Sequence, residues 1–175
     1  MMKNNSNLVI RQAEAGDGPE LLTLIQKAMA LYARQSGIET QLDAQQETLA
    51  DLEAHIADDF ILVAIYHGYL AGTVRLVRQD QENAYFCRFA VLPALHRSGV
   101  GRRLYQAAEQ WLTEHDFHSV YLHTAISNKP LVAFYEARGF RLVDEQNDRG
   151  YPRGTFRKEL PAGSVHGQAR EAVSE

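Results

Sequence analysis

The chain has a single cysteine, Cys87, so an internal disulfide is excluded and a disulfide-stapled secreted scaffold with it. It also lacks any run near the roughly 20 apolar residues needed to span a membrane. Positive charge is in short supply: 18 Lys and Arg stand against 22 Asp and Glu, a formal charge of −4, which argues against a nucleic-acid surface. His115 and His118 lie three apart but have no Cys or acidic partners at ligand spacing, so no metal is assigned. The start, Met1-Met2-Lys3-Asn4-Asn5-Ser6-Asn7, is too polar for a secretory signal, and the expected compartment is the cytoplasm.

What is present is an ordinary globular composition, 45% hydrophobic and 23% charged, in 175 residues, enough for one well-buried α/β core and too short for two. The expected organisation is a flexible start over 1–7, a domain over 8–160 and a loose tail over 161–175 rich in small and charged residues. The pattern predicts a strand at Leu8–Gln12, a helix begun by Asp17 and Pro19 through Leu21, Leu24, Ile25 and Met29, and a helix near Ala44–Ala57. Strands over Phe60–Tyr66 and Tyr69–Val77 are joined by His67-Gly68 as a hairpin turn, and a third strand is expected across Arg78–Asn83. The resulting order, β-α-α-β-β-β-α-β-α-β, predicts a single-domain mixed sheet with helices on both faces.

The densest signal is the segment Leu95-His96-Arg97-Ser98-Gly99-Val100-Gly101-Arg102-Arg103. Before it, Tyr85–Leu92 is aromatic and β-branched and is closed by Pro93, which cannot donate to a ladder. After it, Leu104, Ala107, Ala108, Trp111 and Leu112 recur at helical spacing. The loop therefore feeds a helix N-terminus, where unpaired N–H groups and the helix dipole bind anions. Arg97, Arg102 and Arg103 add charge to that end. The third glycine and downstream acid of a dinucleotide fingerprint are missing, as is the Gly-Lys-Ser/Thr of a Walker loop. A phosphate-bearing cofactor of another kind is implied.

A second motif follows. Ser119–Thr124 reads as a strand, and Ser127 or Asn128 can cap a helix whose first turn holds Pro130; Leu131, Phe134, Tyr135 and Arg138 form its stripe and Gly139 ends it. Phe89-Ala90-Val91-Leu92-Pro93 with His96–Gly101, then Asn128 and Phe134-Tyr135-Glu136-Ala137-Arg138-Gly139-Phe140, in this order and spacing, closely resembles the GNAT acetyltransferase superfamily. The resemblance extends weakly to Val9–Ala13 and Phe156–Leu160. It implies the same fold and a cosubstrate, acetyl-coenzyme A: Phe89, Ala90 and Val91 would pair edge-on with the pantetheine arm, and His96, Arg97, Ser98, Gly99, Val100, Gly101 and Arg102 would hold the pyrophosphate. Asn128 and Tyr135 would touch the cofactor, Tyr135 near its sulfur. One departure stands out: the family usually places Gln or Arg where this chain has His96.

Acetyl transfer from a thioester to an amine needs a neutral nitrogen, a polarised carbonyl and a proton for the departing thiolate. Tyr135 is the candidate acid, since a phenol of pKa about 10 lies close to an alkyl thiol. The resemblance puts an oxyanion-type N–H near Ala90 or Val91. An alkylammonium of pKa about 10.4 is about one part in a thousand neutral near pH 7.4, so a base is required. Many relatives carry a Glu on the strand before the loop, but no acid occurs from Asn83 to Pro93. Glu82, His123 or a water chain are the remaining choices. Direct transfer in a ternary complex needs no covalent cysteine, and Cys87 reads as a small strand hydrophobe.

The expected acceptor is a primary amine of a small molecule or peptide, held between the early helices and the late hairpin by some of Tyr32, Arg34, Tyr66, Arg75, Arg88, Asp148, Arg149 and Tyr151, with Asn147–Pro152 as a polar rim. A non-catalytic acyl-coenzyme A sensor of the same fold is the main alternative, because it would dispense with a base. An interaction module with a vestigial loop is the third. Such folds pair through sheet edges, so a homodimer fits too.

Overall fold

The structure is a computed structural model that describes residues 7–162; the N-terminal stretch before Asn7 and most of the 161–175 tail lie outside the described residues. Seven strands form one mixed sheet in the order β1-β2-β3-β4-β5-β7-β6. They are β1 (Leu8–Gln12), β2 (Phe60–Tyr66), β3 (Tyr69–Arg78), β4 (Asn83–Val91), β5 (Ser119–Ala125), β6 (Arg141–Gln146) and β7 (Arg153–Glu159). The helices are α1 (Gly18–Ser36), α2 (Asp43–Gln46), α3 (Leu49–Asp58), α4 (Val100–Glu114) and α5 (Lys129–Glu136). The expected mixed sheet with flanking helices is what forms, with one strand more than expected because the chain closes on a hairpin, β6–β7.

Local chemistry explains most boundaries. His67 and Gly68 both have positive φ, 49° and 82°, the conformation a two-residue hairpin turn needs to follow the strand twist. The strand expected over Arg78–Asn83 is instead the end of β3 and a polar turn: the Asp80 carboxylate accepts from the main-chain N–H of Glu82 and of Asn83, both at 2.8 Å. A short acidic side chain bonding its own turn wins over strand continuation when no apolar residue asks for burial. The helix expected near Ala44–Ala57 is broken in two. Thr48 caps α3 through its hydroxyl, which accepts from Asp51 N–H at 3.2 Å, while the Asp51 carboxylate accepts from Thr48 N–H at 2.9 Å.

Two apolar layers sandwich the sheet. On one face α4 buries Val100, Leu104, Tyr105, Ala108 and Leu112 against Val74, Leu76, Phe86, Val120 and Leu122. On the other, α1 and α3 bury Leu21, Leu24, Ile25 and Leu52 against Ile61, Val63 and Leu70. Trp111, on the α4 stripe, stacks on Phe60 with ring centroids 3.9 Å apart. At about 25 cal/mol per Å² of apolar surface, these two layers carry the main driving force for folding.

The feature that positions the site is how β4 and β5 run. They pair in parallel only from Asn83–Tyr85 against Ser119–Tyr121 and then part company. On its other edge β4 stays paired with β3 to Val91, but with a register shift that sets Arg88 and Phe89 against Val74 alone. That bulge holds Arg88 at φ 51°, a left-handed conformation a non-glycine residue adopts only where surrounding structure enforces it.

Candidate active site

Two regions meet along β4. The first is the loop that follows it. Gly99 is left-handed, φ 91°, and caps α4. The main-chain N–H groups of Arg97, Gly99, Gly101 and Arg102 find no acceptor among the described residues, while Ser98 N–H turns inward to Leu95 O at 3.1 Å. A cluster of free donors at the dipole-positive end of a 15-residue helix fits a pyrophosphate, and exposed Arg97 and Arg102 can add charge. Gly101 packs against β4: a Cβ there would lie 3.5 Å from Val91 Cγ2 and 3.6 Å from Phe89. His96 does not face outward alone; its Nε2 is 3.1 Å from the Val91 carbonyl. Past Tyr85 the β4 edge toward β5 has no strand partner among the described residues, which leaves main chain along Phe89–Val91, apart from the Val91 carbonyl that His96 faces, open to an extended ligand.

The second region is a cavity of about 390 Å³ in the gap between β4 and β5, closed by the Thr40–Ala44 segment, by Met29 and Tyr32 of α1 and by the β6–β7 rim. Tyr135 lines it from α5. Its ring is 5% exposed and meets Phe86 edge-on at 6.0 Å and Phe140 at 5.7 Å. Burial pushes the phenol far above its ordinary pKa, so it stays protonated at every physiological pH. Relative to a free phenol this makes proton release harder, and the near-balance with a thiol expected from the sequence requires polar surroundings at the moment of transfer.

His123 also lines the cavity. Its Nδ1 is 3.0 Å from the Thr155 hydroxyl, the residue directly across on β7. Burial first, and then the charges of Arg153 and Arg149, hold its pKa below the ordinary value, against a smaller opposing pull from Asp144 and Asp148. A neutral imidazole with Nδ1–H donating to Thr155 leaves the Nε2 lone pair free. Glu82 is placed elsewhere: it sits exposed in the turn before β4, with His118 3.5 Å from its carboxylate, and is not among the cavity's walls. Cys87 lines the cavity, but burial pushes its thiol up to about 11, leaving no thiolate to act as nucleophile.

Asn128 is buried and occupied within the fold. Its Oδ1 accepts from Leu131 N–H at 3.3 Å, capping α5, and its Nδ2 donates to the Ser36 hydroxyl at 3.1 Å, tying α5 to the end of α1. Of the residues expected around the acceptor, Tyr32, Arg88, Arg149 and Tyr151 line the cavity, whereas Arg34, Tyr66 and Asp148 do not. Arg75 is 3% exposed and lies behind the wall, paired through both terminal nitrogens with Glu47 at 2.8 and 3.1 Å. Arg149 crosses the cavity mouth to pair with Asp43. Sequence reasoning passed over Tyr85, Tyr121, Arg153 and Glu47. The alternation Arg153, Thr155, Arg157 on a strand was the available signal for Arg153; nothing local marks Glu47, whose partner is 28 residues away.

Among the described residues no helix is long and apolar enough to cross a membrane, and no three His, Cys, Asp or Glu side chains are grouped to hold a metal ion. His115 follows the last residue of α4, its ring stacked on Trp111 at 4.2 Å.

The fold matches solved structures whose sequences have drifted far. The PaiA N-acetyltransferase of Thermoplasma acidophilum, in complex with coenzyme A, superposes with a TM-score of 0.77 at 18% identity, over 87% of this chain and 99% of that one. A GNAT family acetyltransferase of Elizabethkingia anophelis with acetyl-CoA bound gives 0.70 at 17%, over 90% and 100%. The putative acetyltransferase YncA of Salmonella typhimurium, with its cofactor acetyl-CoA, gives 0.69 at 17%, over 95% and 99%. No curated protein sequence matches the chain significantly. The family model for the acetyltransferase (GNAT) family matches residues 25–140, from within α1 through the loop and α5 to Phe140. The chain therefore belongs to the acetyltransferase (GNAT) family, a family of acyltransferases.

Proposed function

We propose that the protein is an N-acetyltransferase that moves an acetyl group from acetyl-coenzyme A to the primary amine of a small molecule or peptide by direct transfer in a ternary complex. The observation that carries this reading is the divergence of β4 from β5, which sets a loop of free N–H groups at one end of an open strand edge and a cavity holding a protonated tyrosine at the other. An extended thioester laid along that edge would supply an activated acetyl carbon at the cavity.

In this reading Arg97, Ser98, Gly99, Val100, Gly101 and Arg102 hold the pyrophosphate, mainly through main chain, with His96 steadying the strand end through the Val91 carbonyl. Main chain at Phe89–Val91 aligns the pantetheine arm, and an N–H at Ala90 or Val91 polarises the carbonyl. The acceptor nitrogen bonds to the carbonyl carbon, the C–S bond breaks, and Tyr135 gives its proton to the leaving sulfur. The proton lost by the amine goes to His123 Nε2 directly or through water. His123 is favoured over Glu82 because it lies in the cavity wall and is held neutral. Asn128 contributes by fixing α5, and hence Tyr135, against α1.

Calorimetric titration with acetyl-coenzyme A beside dephospho-coenzyme A and ATP, followed by thiol release across an amine panel, tests the reading. Micromolar cofactor binding with amine-dependent thiol release is expected. Tight binding with no release from any amine would instead make the protein an acyl-coenzyme A sensor, and no binding would remove the loop from the site.

A further inference from the structure

Five ionisable side chains besides the tyrosines and Cys87 line the cavity: Asp43, Arg88, His123, Arg149 and Arg153. Asp43 is taken by Arg149. The nearest carboxylate to Arg88 is Glu47, 3.6 Å from its Nε, but that carboxylate already holds Arg75 through both oxygens. Arg153 bonds the Gln146 side chain at 3.0 Å and has no carboxylate within ion-pair distance among the described residues. Among the described residues three arginine Nε atoms are buried without a hydrogen-bond partner, those of Arg75, Arg88 and Arg153, and of these Arg88 and Arg153 line the cavity.

Two half-buried guanidinium groups with unused donors are costly to keep unless something planar and anionic uses them. Arg88 is held there by the β3–β4 bulge in a left-handed conformation that the surrounding structure enforces, so its side chain has a fixed point of departure into the cavity wall. Arg153 sits on β7 one alternation from Thr155, and so on the same side of the sheet as His123. The aromatic walls Tyr32, Tyr85, Tyr121 and Tyr151 fit a compact apolar body next to that anion. A single cavity of about 390 Å³ must also admit the acetyl end of the cosubstrate, which suits an acceptor the size of one amino acid better than a protein surface.

Resting on the acetyltransferase reading above, we infer that the acceptor is a small amine bearing a carboxylate, with Arg153 and Arg88 receiving the carboxylate in the cavity and the amine directed to His123. Neutralising the guanidinium charge beside His123 would ease protonation of the imidazole as it takes the amine proton, so the acceptor's anionic end would assist its own deprotonation.

The test uses the full chain loaded with coenzyme A and paired probes that differ only at the carboxyl group: L-phenylalanine, L-methionine and L-glutamate beside their α-carboxamides. Binding by calorimetry is expected to favour at least one acid over its amide by about tenfold or more. Arg153→Gln should abolish that preference, while Arg153→Lys should restore part of it. Thiol release from acetyl-coenzyme A is then followed with the same pairs. A panel in which no acid out-binds its amide overturns the inference, and equal thiol release from acids and amides does so while leaving the acetyltransferase reading intact. An acid-selective site with no thiol release from any amine sinks the acetyltransferase reading and leaves the anion site standing.

Discussion

The two ends of β4 present opposite kinds of groups. At the loop end the available groups are main-chain N–H donors of Arg97, Gly99, Gly101 and Arg102, arranged by Gly99 and the first turn of α4. At the cavity end they are side chains contributed by α1, the segment before α2, β4, β5, α5 and the β6–β7 rim. A main-chain site is specified by local conformation and tolerates many side chains. A side-chain site is specified by which distant strands meet, and a single substitution alters it. On the proposed reading, the difference separates what is shared from what is individual: a contiguous loop would take the cosubstrate, and a cavity assembled from distant strands would choose the acceptor.

The sharpest way to test that division is to damage each end separately. Tyr135→Phe should lower kcat by about 10²- to 10⁴-fold, the usual contribution of a positioned acid, with little change in cofactor affinity by calorimetry. Equal losses in both would make Tyr135 a packing residue of its aromatic cluster. Glu47→Ala should cost about 3–5 kcal/mol of unfolding free energy in urea, because Arg75 would be left buried without its carboxylate. A shift under about 0.5 kcal/mol would mean the pair is solvated, and the cavity's back wall softer than its geometry implies.

At the loop, Gly99→Val should weaken acetyl-coenzyme A binding by about ten- to a hundredfold and leave kcat at saturation near normal. A Cβ there meets no atom within 4 Å, so the effect comes from a β-branched residue forced to φ 91° and from bulk in the space the phosphates need. Unchanged affinity would break the comparison.

The smallest effect expected is at His123. Its folded pKa is lowered, so the neutral, proton-accepting form persists below the ordinary value near 6.5. His123→Asn should lower kcat/KM by about tenfold near neutral pH and make the acid limb one proton less steep. For stability the sign is opposite to that of a paired histidine: the unfolded chain binds the proton more readily, so this group contributes full stability above about pH 6.5 and loses it as pH falls from there through its lower folded pKa. An acid limb unaltered by the substitution would assign proton removal to water.

Much of the fold could be read because periodicity and punctuation agree. The strand expected over Tyr85–Leu92 forms as β4 and stops before Pro93, helix α4 follows the loop as expected, and Asn128, Pro130 and Gly139 bracket the turn of chain that carries Tyr135. Where the reading slipped, local hydrogen bonding outcompeted pattern: the Asp80 turn replaced a strand, and the Thr48–Asp51 capping box split a helix. The loop was legible for the same reason the helices were, being contiguous. The cavity was not. Arg153 reaches His123 only because β7 pairs with β5, and Glu47 reaches Arg75 only because the α2–α3 break folds under the sheet; no spacing in the chain encodes either meeting.

The strand order has a consequence for how the molecule comes into being. Because β7 lies between β5 and β6, residues 141–146 cannot join the sheet until residues 153–159 have been made and inserted. In chain order the loop, α4 and the β1–β4 antiparallel run are all made before that strand. A chain made only as far as β6 therefore carries every residue of the loop but lacks the strand that brings Arg153 to the cavity wall, and the edge of β5 that β7 covers has no partner until that strand arrives. The strand that completes the cavity wall is thus the last one the chain supplies to the sheet.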